Sequence, residues 1–388
     1  MVTTLAMGFA GFIMILFASL MEGLLQSSEK NAVSMDLGDI QIHATDYRED
    51  PDLYKLIVNP DRILTDLKKA GFHVTKRLYG FGLAAAGSTS AGVQLRGIDL
   101  STESDVTEIN RHIMKGAWLE EIDPGGVVIG RKLAKTLGVS PGDELIFVGQ
   151  ATDGSMANDI FTIRGILKSV GEEVDRTGLY MIEKSFRELM ILPEGTHEIA
   201  VMRPDRSSDL EAATRTVANI APGYETLNWK ELMPVIARIL ELADSQMIIL
   251  VIITYTAVAM LVLNAMLMTV FERIRELGIM KAMGVTPWQL MSLVYAETFI
   301  QVSAAGILAG LSGCLLSRYL EHNGIDLSSF AEGASFGGVA MDPIWKAYLT
   351  PEAVVVPIVF LFIIALFAVL YPAVKAALIQ PVKAIHQR

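Results

Sequence analysis

Charge is segregated along this chain, and that constrains its fold more than any other feature. Residues 1–21, 245–271 and 353–374 hold no charged side chain, and residues 288–317 hold only Glu297. A bilayer core of ~30 Å takes about 20 apolar residues in a helix. Lipid offers no partner to backbone N–H and C=O groups, so each stretch is expected to be helical. Four spans follow, at residues 1–25, 245–271, 288–317 and 353–374. Bulk figures agree: 52% of the 388 residues are apolar and 19% charged, against about 25% charged for a typical soluble chain.

Orientation follows from basic residues in short loops. The loop 272–287 carries Arg273, Arg275 and Lys281, and the tail 375–388 carries Lys375, Lys383 and Arg388. The loop 318–352 holds two basic residues against five acidic ones. The basic segments are therefore expected in the cytoplasm and the acidic loop outside, with residues 26–244 outside as one large domain. A cleaved signal peptide is the rival reading of the first span, but it lacks a cationic flank and a clear small-residue cleavage site.

The outside domain alternates in element type. Residues 38–44 read as a strand, 60–71 as a helix stopped by Gly71, and 73–79 as a strand. The same order returns at 198–202, 208–220 and 224–227. Two βαβ-like units point to one α+β subdomain, split by a strand-rich insertion over about 91–189. Within it, Gly138 stops a short helix at 131–137, and Pro141-Gly142-Asp143 makes a turn between strands.

Leu232, Ile236, Ile239 and Leu242 keep helical spacing up to the second span. One rod over 231–273 is expected, ~65 Å long at 1.5 Å per residue; a break near 243–246 is the alternative. After it, Thr286 is placed to cap the next helix with Pro287 at its first position. A short amphipathic helix over about 272–284 is expected on the cytoplasmic surface, its plainer reading being a charged loop that sets topology.

Several functions are excluded or disfavoured. A net charge of −11, from 32 basic and 43 acidic residues, argues against nucleic-acid binding. One cysteine, Cys314, excludes an intrachain disulfide and a Cys-based zinc site. The six histidines lack ligand spacing, and there is no phosphate-binding P-loop. Gly80-Phe81-Gly82 copies half of a dinucleotide fingerprint without its acidic partner. In the membrane, Glu297 is a costly carboxylate with either a mechanistic or a packing role, and Asn264 is placed to hydrogen-bond across helices. Ser303, Gly306, Gly310 and Gly313 recur at steps of three and four, a stripe for close helix packing. Phe330, Phe336, Trp345 and Tyr348 in the outer loop suit a bilayer interface or a partner.

Residues 272–284, ERIRELGIMKAMG, resemble the signature of the MacB/FtsX-type ABC permease superfamily, which includes LolC and LolE. The tail YPAVKAALIQPVKA from Tyr371 is similar to the superfamily's closing pattern. Residues 129–134, IGRKLA, followed by Leu137-Gly138 and Gly142-Asp143, resemble its extracytoplasmic domain, and Trp229 resembles the LolC/LolE side. The resemblance implies four transmembrane helices with an α+β extracytoplasmic domain between the first two, in an inner-membrane protein.

It further implies that the short helix docks into a cytoplasmic ATPase dimer. Glu272, Arg273, Arg275, Glu276 and Lys281 would supply ion pairs, and Gly278 and Gly284 close approach. The chain itself would be non-catalytic and bind no cofactor, with ATP and magnesium on the partner. A second permease copy, identical or related, and a periplasmic chaperone or adaptor complete the expected partners. Lipoprotein release is the leading expectation. Efflux, relay of a signal to an outside hydrolase, and an anchored receptor without an ATPase are the rivals. The superfamily has a basic stretch before the first span, so the native start is expected upstream of Met1.

Overall fold

The computed structural model describes residues 2–205, 208–326, 335–336, 339–340 and 344–380. Phe330, the side chain of Phe336, and the closing residues 381–388 lie outside the described residues. The chain forms two compact units. One comprises Met1–Gln26, Ile239–Phe330 and Pro343–Arg388; the other comprises Ser27–Arg238 and Ala331–Asp342.

Helix α1 (Val2–Ala32) leads through a turn of wider helix, Val33–Leu37, into β1 (Ile40–His43). Then come α2 (Pro60–Lys69), β2 (His73–Ala86), β3 (Thr89–Ile98) and α3 (Leu100–Val106). Strands β4 (Ile113–Gly116) and β5 (Gly126–Ile129) precede α4 (Arg131–Leu137), β6 (Glu144–Gln150) and β7 (Met156–Leu167). Next are α5 (Glu172–Thr177), β8 (Gly178–Ile182), α6 (Glu183–Met190) and β9 (Glu198–Met202). Helix α7 (Leu210–Ile220), β10 (Glu225–Asn228) and α8 (Trp229–Leu232) close the extramembranous part.

The two expected βαβ units interleave. Strand order is β10-β1-β9-β2, each neighbour antiparallel, so each unit's strand fills the gap in the other. Alternation sorts the faces. Ile40, Ile42, Val74, Ile199 and Val201 pack with Ile63 and Leu67 of α2 and Val217 of α7. The opposite face carries Gln41, His43, Arg77, Tyr79 and Glu198, and these polar residues are buried too.

The insertion does not build a separate sheet. It prolongs the first one through β2, which runs past the expected end at Tyr79 to Ala86. Gly80-Phe81-Gly82 therefore lies inside a strand, all three residues paired with β3 and Gly82 also with β6, which leaves no phosphate loop. Pairing then closes on itself as β2-β3-β8-β5-β7-β6-β2, a six-stranded barrel. Leu95, Val127, Phe147, Phe161 and Leu179 fill its core. On its outer face, register sets Leu83 beside Val148 and Ile146 beside Ile160, and with Phe81 and Met156 these form an exposed apolar patch.

Four helices are long and apolar enough to cross a membrane, over Thr3–Ser27, Pro234–Glu272, Pro287–Asn323 and Pro351–Ala377. The second is α9 (Pro234–Glu272), followed by α10 (Ile274–Ala282) and α11 (Pro287–Asn323). The fourth divides into α12 (Pro351–Ala368) and α13 (Leu370–Ala377). Pro372 explains the division, since it has no N–H for the carbonyl of residue 368 and its ring crowds that turn.

The rod differs from expectation at its start. Helix α9 has 39 residues, ~58 Å at 1.5 Å each, and it runs unbroken through 243–246. It begins at Pro234, and α8 is separated from it by Met233 at φ −125°, ψ 67°. A residue before proline is pushed out of the helical region, so residues 231–233 cannot join the rod.

Inside the membrane unit, Met14, Tyr255, Val262, Leu361 and Ala365 are buried together. The Tyr255 hydroxyl donates to the Pro357 carbonyl at 2.5 Å, using an acceptor on a proline-interrupted helix. The Trp345 indole N–H donates to the Leu20 carbonyl at 2.9 Å. The Tyr348 amide donates to the Ser19 carbonyl at 2.8 Å, while its ring is exposed.

Candidate functional site

The charged turn at the end of α9 is built from local signals. Arg273 leaves helical geometry, and α10 restarts at Ile274. Gly284 turns the chain at φ +102°, a conformation costing other residues roughly 1–2 kcal/mol. The Thr286 hydroxyl and the Gln289 side chain form a capping box, with Pro287 at the first helical position.

One side of α10 is held by the chain itself. Leu277 is buried in the membrane unit's core, and Gly278 is buried beside it. Lys281 Nζ donates to the carbonyls of Ala377 at 2.6 Å and Ile379 at 2.9 Å, capping the end of α13. Arg273 bonds Glu276 at 2.9 Å and reaches Glu297 at 3.4 Å. The opposite side is open: Glu272, Arg275 and Glu276 are exposed, and so are Ile279, Met283 and Trp288, the last at 78%.

Within the chain, Lys281 caps α13, Gly278 is covered, and Gly284 takes a backbone angle that favours glycine. Glu272 and Arg275 remain open, and Glu276 is exposed with Arg273 bonded to it. Ile279, Met283 and Trp288 escaped sequence reasoning because an apolar residue beside a span reads as buried; only the fold shows them outward. Glu297 is not a lone intramembrane carboxylate, because Arg273 reaches it. Asn264 is exposed, and no side-chain hydrogen bond to it occurs among the described residues. The small-residue stripe divides between neighbours. Gly306 and Gly310 face Ile358 of α12, whereas Gly313 faces Ile15 of α1; the Ser303 hydroxyl bonds back to Phe299 at 2.7 Å. Gly306 and Gly313 point within about 20° of each other at 100° per residue but stand ~10 Å apart along the axis, so one stripe meets two helices at two heights.

A second constellation, which sequence reasoning missed, lies in the extramembranous unit. Arg77 is gripped by Glu103 at 2.6 and 3.1 Å and by Glu198 at 2.8 Å. It also donates to the Asp36 carbonyl at 2.5 Å. Arg96 holds the Asp36 carboxylate at 2.6 and 2.7 Å, and Tyr180 donates to it at 3.1 Å. Burial alone would raise the Asp36 carboxyl, but Arg96 and Arg77 outweigh it and hold it below its usual range. Burial raises Glu198, only partly offset by Arg77. Two arginines against three carboxylates, of which only Asp36 is partly exposed, fix the turn after α1 to the sheet. The polar half of β1, Gln41 and His43, was the one legible signal; alternation alone reads it as solvent-facing.

Among the described residues no cluster of His, Cys, Asp or Glu is arranged to hold a metal ion.

Comparison with known proteins matches residues 1–220 to the MacB-like periplasmic core domain and residues 248–381 to the FtsX-like permease C-terminal family. The lipoprotein-releasing system transmembrane protein LolC of Xylella fastidiosa (strain 9a5c) is 23% identical over 307 residues, covering 75% of this chain and 72% of LolC. LolE of Haemophilus influenzae is 22% identical over 317 residues, covering 78% of this chain and 74% of LolE. Among solved structures, the periplasmic region of MacB from Actinobacillus actinomycetemcomitans aligns at 14% identity and a TM-score of 0.39, covering 54% of this chain and 95% of that region.

Proposed function

This chain belongs to the MacB/FtsX/LolC family of ABC transporter permeases, and from that premise we propose that it carries force from a cytoplasmic ATPase dimer to a periplasmic domain that frees lipoproteins from the inner membrane. The observation that carries this reading is the two-sided build of α10. It is tied inward by Leu277, Lys281 and Arg273, and it offers Arg275, Ile279 and Met283 outward. A lever needs both: a surface to be pushed, and firm links to the helices that are to move. ATP and magnesium would reside on the ATPase, and this subunit would contribute no catalysis. A second permease, identical or related, would complete the assembly.

Release of lipoproteins is supported by the names of the relatives and by energetics. Each buried methylene holds an acyl chain by ~0.8 kcal/mol, so about a dozen resist extraction by on the order of 10 kcal/mol. Extraction of that size calls for an external energy source. The exposed barrel patch of Phe81, Leu83, Ile146 and Ile160 suits an apolar cargo or a periplasmic chaperone. Efflux of a drug or peptide is the second reading.

The test is co-purification of the full chain with its ATPase from membranes. Arg275→Glu combined with Met283→Asp should lower ATPase capture at least tenfold while the chain stays in the membrane. Unchanged capture by that variant, or no ATPase with the unaltered chain, overturns the coupling role. Photocrosslinkers at Leu83 or Ile146 that trap a lipoprotein would support release; trapping an adaptor with a small molecule would support efflux.

A further inference from the structure

Helices α11 and α12 leave between them an apolar groove of about 740 Å³. Gly306 and Gly310 form its floor, Ile307, Leu311 and Phe362 its walls, and Arg318 stands at one end. From Ser303 to Arg318 is fifteen residues, ~22 Å along a helix. A single leaflet is about half of the ~30 Å core. The groove is thus long enough for an extended chain spanning a leaflet and too narrow in lining chemistry for a polar ligand. On a lipid-facing surface it will not stay empty, because an unfilled apolar void forfeits the contacts of every atom lining it.

The end of the groove names the other half of the ligand. Arg318 is exposed, and among the described residues it makes no ion pair, although the segment 318–352 holds five acidic residues. By the charge of that segment this is the outer side, where basic residues are sparse. A planar guanidinium there matches a phosphate with two parallel hydrogen bonds. We propose that this groove binds one acyl chain of a glycerophospholipid whose phosphate rests on Arg318. The site is separate from α10, and its ligand differs from a diacylated cargo lacking a phosphate, which would satisfy the groove but not Arg318.

Cys314 supplies the reporter, because it lines the groove and is the chain's single cysteine. The experiment follows alkylation of Cys314 by a maleimide in the full chain, held in detergent, as phosphatidylglycerol or diacylglycerol of the same acyl chains is added. Phosphatidylglycerol should slow alkylation. Arg318→Gln should require roughly tenfold more phosphatidylglycerol for the same protection, and should leave the weaker effect of diacylglycerol unchanged. Gly310→Leu provides a second arm: a Cβ there meets only Ile358 at 3.6 Å, so the helix tolerates it, while the longer side chain fills the floor. That variant should lose protection by both lipids. The proposal is overturned if neither lipid protects, or if Arg318→Gln responds like the unaltered chain. Protection without lipid that rises with protein concentration would also overturn it, by showing that a second copy covers the groove.

Discussion

The backbone carbonyl of Asp39 accepts the N–H of Trp229 at 2.9 Å, joining the segment that follows the first span to the segment that precedes the second. One residue further, Ile40 pairs with Asn228 in adjacent strands. The Asp39 carboxylate meanwhile holds Arg203, at 2.9 Å to its amide and 3.1 Å to its guanidinium. Entry and exit of the extramembranous unit are therefore neighbours in one ladder. A displacement of either segment is felt by the same two strands.

Trp229 is 1% exposed, and its indole N–H has no partner among the described residues. Trp229→Ala should thus cost roughly 3–5 kcal/mol, visible as a lower thermal midpoint. Trp229→Phe removes volume but no hydrogen bond, and its loss should be well under half as large. Equal losses would show that the indole nitrogen matters after all.

Arg273 and Glu297 should behave as a pair. Both are partly exposed, so the direct gain is small, ~1 kcal/mol or less. Glu297→Arg places two cations face to face in a half-buried crevice, and Arg273→Glu two anions. Either should reduce stimulation of the ATPase in membranes, and the double exchange should recover most of it. A double variant no better than the single ones would refute the pairing.

The Arg77 cluster should be the least forgiving site in the extramembranous unit. Arg77→Met strands Glu103 and Glu198, both buried, and breaking such a pair costs about 3–5 kcal/mol. Replacing Lys69, paired with Asp66 at 3.1 Å in the open, should cost under ~0.5 kcal/mol. Resistance to proteolysis in the full chain measures both.

Acid should loosen the same unit. Burial, above other causes, pushes His43 and His197 down to about 4 from an ordinary 6.5. The unfolded chain binds these protons first, so stability is complete above pH 6.5 and declines as pH falls towards 4, by roughly 3 kcal/mol per histidine at most. Glu198 acts oppositely: its raised pKa means the folded form takes up a proton first, which softens the decline. The protection free energy of β1 and β9 amides, corrected for intrinsic exchange at each pH, should fall across that window, and His43→Gln should flatten the slope by about one proton. A pH-independent exchange free energy between 6.5 and 4 would contradict this.

Local chemistry carried much of the architecture. Uncharged runs specified four membrane helices, because burying an unpaired backbone group or charge in lipid costs more than any packing gain returns. Gly138, Gly284 and the Thr286-Pro287 pair fixed helix ends through backbone angles and missing donors, which depend on no distant residue. What one strand's alternation could not specify was its environment. Gln41 and His43 look solvent-facing, yet Gln41 donates to the Leu37 carbonyl and the His43 ring stacks on Tyr47. Closure of the barrel through β6, the use of Lys281 on α13, and the division of the glycine stripe between α1 and α12 were likewise settled by contacts between residues remote in sequence. Periodicity determines which side of an element is apolar; only the assembled fold decides what stands opposite it, because that depends on the energies of all the elements together.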